Sequence, residues 1–274
     1  MKILKILLAM IVTFTLLYFY NYNQIRVFRT RNIKLESDKI KNTFKITQIS
    51  DFHSNSLIDL EKIEIEIKNF NPDFIVLTGD MIDYKDTELR TIIKLLKTVV
   101  KVDKPVYFVR GNHETNHILY DDLRKEMERL GINVLENDTR TITVSNEKIN
   151  LTGLSFMPKS TGHEEGENYR EIIEVLDLDY YNILLIHSPN NIEALLDGQE
   201  DLILSGHAHG GQFRLPIIGA IVAPGQGIFP KYDKGIFKIN NSILHIDSGL
   251  GNSVAPIRAF NPVQFSNITI VPKE

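Results

Sequence analysis

Short apolar segments alternate with segments of helical periodicity after residue 43. Five apolar runs of strand length, rich in branched or aromatic residues, cover 44–50, 74–78, 106–109, 183–186 and 202–204. Residues spaced for one helix face lie between the first three runs: Ile58, Ile63 and Ile67, then Leu89, Ile92, Ile93 and Leu96. This alternation is typical of βαβ units and predicts an α/β fold with a largely parallel sheet.

Three further segments have a pattern of strands and turns without long helices. They are residues 142–154, 235–246 and 265–271, and they predict a second, more antiparallel sheet. A chain of 274 residues could form two domains by length alone, but α/β folds of this size often form one. We therefore expect one large core.

The N-terminus has a different composition from the rest of the chain. Twenty uncharged residues, 6–25, would rise about 30 Å as a helix, which is enough to cross the hydrocarbon layer of a bilayer. A cleaved signal peptide is the alternative, but it favours small residues where this run has bulky ones, and the clustered tyrosines suit a membrane interface. We predict a membrane anchor over 1–25, a polar juxtamembrane linker over 26–43 and one catalytic domain over 44–274. Basic residues on both sides of the run leave the topology open.

Each of the five apolar runs ends in residues that bind metals or transfer protons. The ends are Asp51-Phe52-His53, Gly79-Asp80, Gly111-Asn112-His113-Glu114, His187-Ser188-Pro189 and Gly206-His207-Ala208-His209. Sites of open α/β sheets assemble at the carboxyl ends of strands. Because residues two apart in an extended segment point to the same side, the first and last of these ends can each deliver two ligands to one place.

Composition narrows the chemistry of such a site. The absence of cysteine excludes disulfides, thiolate zinc sites and a cysteine nucleophile, and it leaves any metal to eight histidines and the carboxylates. With 31 basic and 35 acidic residues the net charge is −4, so the chain lacks the basic excess of a nucleic-acid-binding protein.

The ordered motifs resemble those of the calcineurin-like metallophosphoesterases: Asp-x-His, Gly-Asp, Gly-Asn-His-Glu, a single His and Gly-His-x-His, all between Asp51 and His209. A narrower likeness, to a membrane-associated branch similar to bacterial phosphodiesterases and UDP-diacylglucosamine hydrolases, is carried by residues 206–212, 249–253 and 256–258. Members of that branch carry an anchor or export signal, which favours an extracytoplasmic domain.

The resemblance implies a fold, a ligand set and a reaction. The fold would be a four-layer α-β-β-α sandwich of two mixed sheets. By family pattern, one metal takes Asp51, His53, Asp80 and His209, and the second takes Asp80, Asn112, His187 and His207. His113 would act as general acid or as a hydrogen-bond donor to the phosphate. Two divalent ions lower the pKa of a bridging water and clamp phosphate oxygens for in-line attack, without a protein nucleophile. The mixed donors favour Mn²⁺, with Zn²⁺ or Fe as alternatives.

Several positions leave alternatives open. Glu114 could fix the imidazole of His113 or face solvent, and Arg258 could contact a phosphate or pack beside a C-terminal loop. The apolar stretch 215–229 is too interrupted to span a membrane. It would form part of a substrate wall, a membrane-touching lip or a buried loop. Residues 158–167 have no clear periodicity and suggest a flexible loop near the site entrance. The other histidines, His117, His163 and His245, match no family ligand.

These features predict a membrane-anchored hydrolase of a phosphodiester or pyrophosphate. Its substrate would be a small molecule or a lipid-linked envelope metabolite, because the N-terminal helix would hold the catalytic domain near a bilayer. The alternative is a catalytically silent interaction scaffold with the same fold. Such members typically lose ligands or the histidine at position 113, and here the set is complete.

Overall fold

The computed structural model describes residues 1–156, 169, 171–172, 176–196, 198–211, 213–252 and 256–273. The helices are α1 (Lys2–Arg26), α2 (Leu60–Phe70), α3 (Arg90–Val100), α4 (Tyr120–Arg129) and the single turn α5 (Ile192–Leu195). The loop predicted over 158–167, with His163, lies outside the described residues.

Sixteen strands are described, and twelve of them form two six-stranded sheets. The first eight are β1 (Arg29–Ser37), β2 (Phe44–Ile49), β3 (Phe74–Leu77), β4 (Val106–Phe108), β5 (Asn133–Val134), β6 (Asp138–Val144), β7 (Glu147–Leu154) and β8 (Tyr181–Ile186). The others are β9 (Leu202–Ser205), β10 (Arg214–Leu215), β11 (Gly219–Ala220), β12 (Val222–Ala223), β13 (Gly227–Ile228), β14 (Gly235–Ile239), β15 (Ser242–Ile246) and β16 (Gln264–Pro272).

The first sheet has the order β1-β16-β2-β3-β4-β5, and only the β16–β2 pair is antiparallel. Side chains alternate between its faces, as a strand requires. In β3, Ile75 and Leu77 pack on the helix layer, whereas Phe74 and Val76 face the second sheet. The helices of the βαβ units therefore cover one face, and a shared core fills the space between the sheets.

The second sheet has the order β14-β15-β9-β8-β7-β6, with parallel inner pairs and one antiparallel pair at each edge. A third apolar cluster, which includes Ile192 and Leu195 of α5, covers its outer face. The predicted four-layer sandwich of two mixed sheets is thus confirmed. The segment 265–271 is a strand as predicted, but it lies in the first sheet, where β16 pairs with β1 and β2.

Residues 26–43 differ from the linker that their polar composition predicts. Nine of them form β1, which pairs in parallel with β16 along its whole length. Ile33 and Leu35 are buried between the sheets, and the intervening side chains face outward. The ordered sandwich therefore begins before Phe44, and only two residues separate its first strand from α1.

Helix α1 is 25 residues long, and the side chains of its first nineteen residues are exposed. Within the described part of the chain it is the one helix long and apolar enough to cross a membrane, a test that an N-terminal signal sequence also passes. Its last turns contact the loop before β16, where Asn21 donates a hydrogen bond to the Pro256 carbonyl.

Candidate metal centre

The loops that follow β2, β3, β4, β8 and β9 meet at one end of the two sheets. The first three come from the first sheet and the last two from the second. All seven predicted ligands are brought together there, in two neighbouring groups that share Asp80: Asp51, His53, Asp80, Asn112, His187, His207 and His209.

The first group surrounds a point between Asp51, His53 and His209. The Nε2 atoms of the two imidazoles are 3.2 Å apart, and Oδ1 of Asp51 lies 3.5 Å from Nε2 of His209 and 4.0 Å from Nε2 of His53. Oδ2 of Asp80 lies 3.8 Å from the same nitrogen of His53. Such separations between donor atoms suit ligands that each sit about 2.0–2.2 Å from one shared ion.

The second group is built around His187. Its Nε2 lies 3.2 Å from Oδ2 of Asp80 and 3.1 Å from Oδ1 of Asn112. His207 completes the group, with ligand atoms of Asp80, His187 and His207 within 4.8 Å of one another. Oδ2 of Asp80 approaches both groups, so this carboxylate is placed to bridge two ions.

The hydrogen bonds show that this site suits metal ions. Nδ1 of His187 lies 2.8 Å from the Thr78 carbonyl oxygen, which can only accept, so Nδ1 carries the hydrogen. In the neutral imidazole Nε2 then presents a lone pair toward two oxygens, from Asp80 and Asn112, that also present lone pairs. Converging buried acceptors need a cation between them, because each would otherwise be left unpaired.

Burial tunes the charges of these ligands. It lowers the pKa of His53 and of His207 to about 3, so both imidazoles are neutral and able to coordinate. Burial raises the pKa of Asp51 to about 7. For His187 burial opposes protonation, but the adjacent Asp80 carboxylate raises the pKa to about 10. The second group therefore requires positive charge at Nε2 of His187. Either a divalent ion or a proton can supply that charge.

Backbone conformation at the strand ends is unusual. Asp51, His53, Asp80, His207 and His209 all have positive φ, between 44° and 66°, a region that side chains other than glycine seldom adopt. Such residues cluster at functional sites, where the surrounding structure holds them in place.

Position 206, immediately before His207, requires a glycine because the side chain of Asp51 lies close to its backbone. A Cβ at Gly206 would lie 2.2 Å from Oδ2 of Asp51, whose carboxylate accepts the His207 backbone N–H.

Glu114 is buried and does not face solvent. Its carboxylate accepts backbone N–H groups from Asp80, Met81, Ile82 and Gly111, at 2.7–3.2 Å. The residue therefore ties the loop after β3 to the loop after β4. Of its two predicted alternatives, the solvent-facing one is therefore wrong. Burial raises its pKa to about 7.

His113 stands beside both groups. Its backbone N–H donates to Oδ1 of Asp80 at 2.8 Å, and its Nε2 lies 3.8 Å from Oδ2 of the same residue. The Tyr84 N–H donates to Nδ1 at 3.0 Å, so the hydrogen of the neutral ring is on Nε2. That hydrogen is on the side of the ring that faces the shared carboxylate.

One neighbour of the ligands, Asp83, is not evident from the sequence pattern. Oδ2 of Asp83 lies 3.7 Å from Nδ1 of His53, a buried atom without a closer hydrogen-bond partner. A carboxylate in this position orients a metal-binding imidazole. The available signal was that Asp83 follows Asp80 by three residues in the same loop.

Arg258, a neighbour that the sequence analysis did single out, is buried and donates to the carbonyls of Ser248 and Gly251, with Nη2 3.5 Å from Nδ1 of His209. It packs the C-terminal loops, as one of its two predicted alternatives states.

Comparison with known proteins agrees with this geometry. Residues 44–211, more than half of the chain, match the calcineurin-like phosphoesterase family. The chain is similar to the uncharacterised metallophosphoesterase YkuE of Bacillus subtilis (strain 168), at 31% identity over 223 residues that cover 78% of this chain and 74% of that protein. It is also similar to the phosphodiesterase YaeI of Escherichia coli (strain K12), at 25% identity over 76% of each chain.

Among solved structures, TT1561 of Thermus thermophilus shares the fold, with a TM-score of 0.50 and 14% identity over 76% of this chain and 91% of that one. Family match, fold and clustered acceptor residues agree. The chain therefore belongs to the calcineurin-like phosphoesterase family and is a metal-dependent phosphoesterase.

Proposed function

We propose that this chain is a membrane-anchored hydrolase of phosphodiesters or pyrophosphates that uses two divalent metal ions. The ligands of one ion are Asp51, His53, Asp80 and His209, and those of the other are Asp80, Asn112, His187 and His207. The observation that carries the proposal is the convergence of buried imidazole nitrogens and amide and carboxylate oxygens around Oδ2 of Asp80. A catalytically silent scaffold would have no need to keep these ligand atoms buried and facing one another.

Two bound divalent ions would lower the pKa of a water molecule and neutralise the charge on phosphate oxygens. The protein residues position the other participants. Asp80 holds the backbone of His113, and the Tyr84 N–H fixes the ring so that Nε2–H faces the phosphate position. From there His113 can protonate the leaving oxygen or donate a hydrogen bond to the phosphate.

A cleft beside His113 is large enough for the group attached to the phosphate. Its volume is about 460 Å³, and its lining includes Tyr84, Asn112, Thr115 and Ile118 together with His113. The side chain of Ile118 is almost fully exposed, so the cleft offers apolar as well as polar contacts. This mixture suits an alcohol or phosphate leaving group that carries a larger organic body.

The donor set supports manganese as the preferred metal, with zinc or iron as alternatives. Imidazole, carboxylate and amide oxygen together are intermediate in hardness, whereas calcium prefers oxygen ligands alone.

The apolar helix α1 supports the membrane part of the proposal. Its first nineteen side chains are exposed, which suits a lipid environment and not water. A catalytic domain tied to a bilayer would meet lipid-linked or envelope phosphoesters at high local concentration. An extracytoplasmic position and a UDP-diacylglucosamine-like substrate stay predictions from the sequence resemblance.

Hydrolysis of bis(p-nitrophenyl) phosphate tests the enzymatic part. The full chain, purified in a mild detergent, is expected to turn over this diester with added Mn²⁺ and to stop when a chelator removes the metal. Absence of metal-dependent turnover would favour the scaffold alternative.

A further inference from the structure

The loops between β9 and β14 expose many large apolar side chains. In residues 213–229, which we call the apolar lip, the side chain of Ile217 is fully exposed, and those of Ile228 and Phe229 are 72% and 66% exposed. Leu215, Ile218 and Val222 are also exposed. The segment is therefore not a buried loop, one of the alternatives left open by its sequence. Contiguous apolar surface of this kind marks an interaction site.

The lip is an ordered structure. Residues 214–220 and 222–228 form two small antiparallel hairpins, β10–β11 and β12–β13. One further backbone hydrogen bond closes the open end of each hairpin, since Ile221 N–H donates to the Phe213 carbonyl and Phe229 N–H donates to the Ile221 carbonyl. The apolar side chains therefore have fixed positions, and their exposure is a property of the fold.

The loop before β16 connects the lip to the end of α1. Phe213 forms a bridge with Ala259, and the next residue, Phe260, donates its N–H to the Tyr20 hydroxyl. The rings of Tyr20 and Phe260 are 5.8 Å apart. Tyr20 belongs to the tyrosine-rich end of α1, the part of a membrane helix that lies at the interface. The loop next to the lip is therefore at the level of that interface.

The lip also contacts the metal-binding loop after β9. A Cβ at Gly211 would lie 2.3 Å from Cβ of Ala220, so β11 packs closely on the loop that carries His207 and His209. Asn261 donates to the His209 carbonyl at 2.7 Å, and its own N–H is bound by the Gln24 side chain of α1. Helix end, lip and metal ligands thus form one connected unit.

We propose that the apolar lip is a second membrane contact, inserted into the interface of the bilayer beside α1. This inference rests on the proposed membrane anchor. A bilayer is favoured over a protein partner because the lip continues directly from the exposed apolar surface of the helix through Tyr20 and Phe260. With two points of attachment, the domain holds the His207 and His209 loop at the membrane surface, where the phosphate group of a lipid would lie.

Site-directed labelling can test the lip because the chain has no cysteine. The variants Ile217→Cys and Ile228→Cys carry an environment-sensitive fluorophore, and the full chain is placed in phosphatidylcholine–phosphatidylglycerol nanodiscs. The matched control is Lys101→Cys. Its position is also exposed, at the end of α3 that leads into the amino-terminal end of β4, opposite the metal centre.

Lipids with a headgroup-level nitroxide should quench the lip labels at least about twofold more than the control label, since interfacial apolar surfaces lie about 5–10 Å into the boundary. Aqueous iodide should give the reverse order. Lip labels that iodide reaches as readily as the control label would overturn the proposal. Labels protected from both quenchers would indicate a protein interface and would overturn it equally.

Turnover of bis(p-nitrophenyl) phosphate by the same labelled variants separates this inference from the proposed function. Normal turnover with no lipid quenching would reject the lip alone. Absence of turnover in the unlabelled chain would reject the enzyme, whatever the quenching.

Discussion

Two buried polar regions lie close together in this protein and differ in how their hydrogen-bonding groups are paired. In the metal centre, imidazole nitrogens and carboxylate oxygens of several residues converge and face one another. Between the sheets, a second group, which we call the polar chain, consists of Gln48, His245, Ser266 and Asp247, all fully buried. Both regions contain a buried imidazole and a buried carboxylate, yet only one resembles a binding site.

The polar chain pairs its donors with acceptors. Gln48 donates to the Thr78 hydroxyl and the Ser205 carbonyl, and its own oxygen accepts from Nδ1 of His245. Ser266 donates to Asp247, which also accepts the Gly249 N–H. In the metal centre the Nε2 atoms of His53 and His209 face each other, and Nε2 of His187 faces Oδ1 of Asn112. Burial of a histidine is therefore a weak sign of function, and unmatched acceptors are a strong one.

The largest expected difference between the two regions is in catalysis. Asp80→Asn removes the shared charge and should lower turnover of bis(p-nitrophenyl) phosphate by about 10³-fold or more, equivalent to about 4 kcal/mol of transition-state stabilisation. The matched control Asp247→Asn changes a buried carboxylate of the polar chain and should keep turnover within about threefold, because it removes no ligand. Equal losses in the two variants would remove the distinction drawn here.

A smaller effect is expected at His113, which is assigned no metal. His113→Asn should lower turnover by about 10²-fold to 10⁴-fold, the usual contribution of a positioned proton donor, while metal content stays unchanged. His117→Asn, in the same cleft, is the control, and its turnover should change little. Loss of bound metal in His113→Asn would instead make this residue a ligand.

Glu114 tests whether the metal centre depends on its supporting loops. Glu114→Gln presents an amide N–H₂ to backbone donors and should lower the free energy of unfolding by about 2–4 kcal/mol, as charge-assisted hydrogen bonds are lost. Denaturant titration in detergent measures this, with the exposed Glu61→Gln on α2 as the control. Equal stability of the two variants would contradict the role assigned to Glu114.

The smallest expected effect is the pH dependence of stability that His245 of the polar chain contributes. Burial lowers the pKa of His245 to about 3, below the value near 6.5 of an unfolded chain. Between these values the unfolded state binds the extra proton, so stability is present above pH 6.5 and is lost as the pH falls toward 3. This histidine contributes a slope of up to about 1.4 kcal/mol per pH unit. His245→Asn keeps a donor toward Gln48 and should show a shallower decline between pH 6 and 4 in denaturant titrations. An unchanged slope would show that His245 does not titrate in this way.

The strand ends could be predicted from the sequence because each motif directly follows its own apolar run. Which sheet each run joins depends on contacts far apart in the chain, so the pattern could not show that β8 and β9 lie in the second sheet. The same reason explains β16, which the pattern grouped with the second sheet and the structure places in the first.

The polar composition of residues 26–43 predicted a linker, and this was wrong because nine of these residues form β1. An edge strand with only two inward apolar residues, Ile33 and Leu35, resembles a polar linker until its partner is known. The roles of Glu114 and Arg258 were open for a related reason, since their partners are backbone groups that become neighbours only in the folded chain.

Metal stoichiometry of the purified full chain tests the central claim most directly. Elemental analysis after manganese loading and removal of free metal should find two ions per wild-type chain and two in Asp247→Asn. Asp80→Asn should hold fewer than one, because Asp80 is proposed to bridge both ions. Fewer than one ion in the wild type, or two retained by Asp80→Asn, would contradict the account.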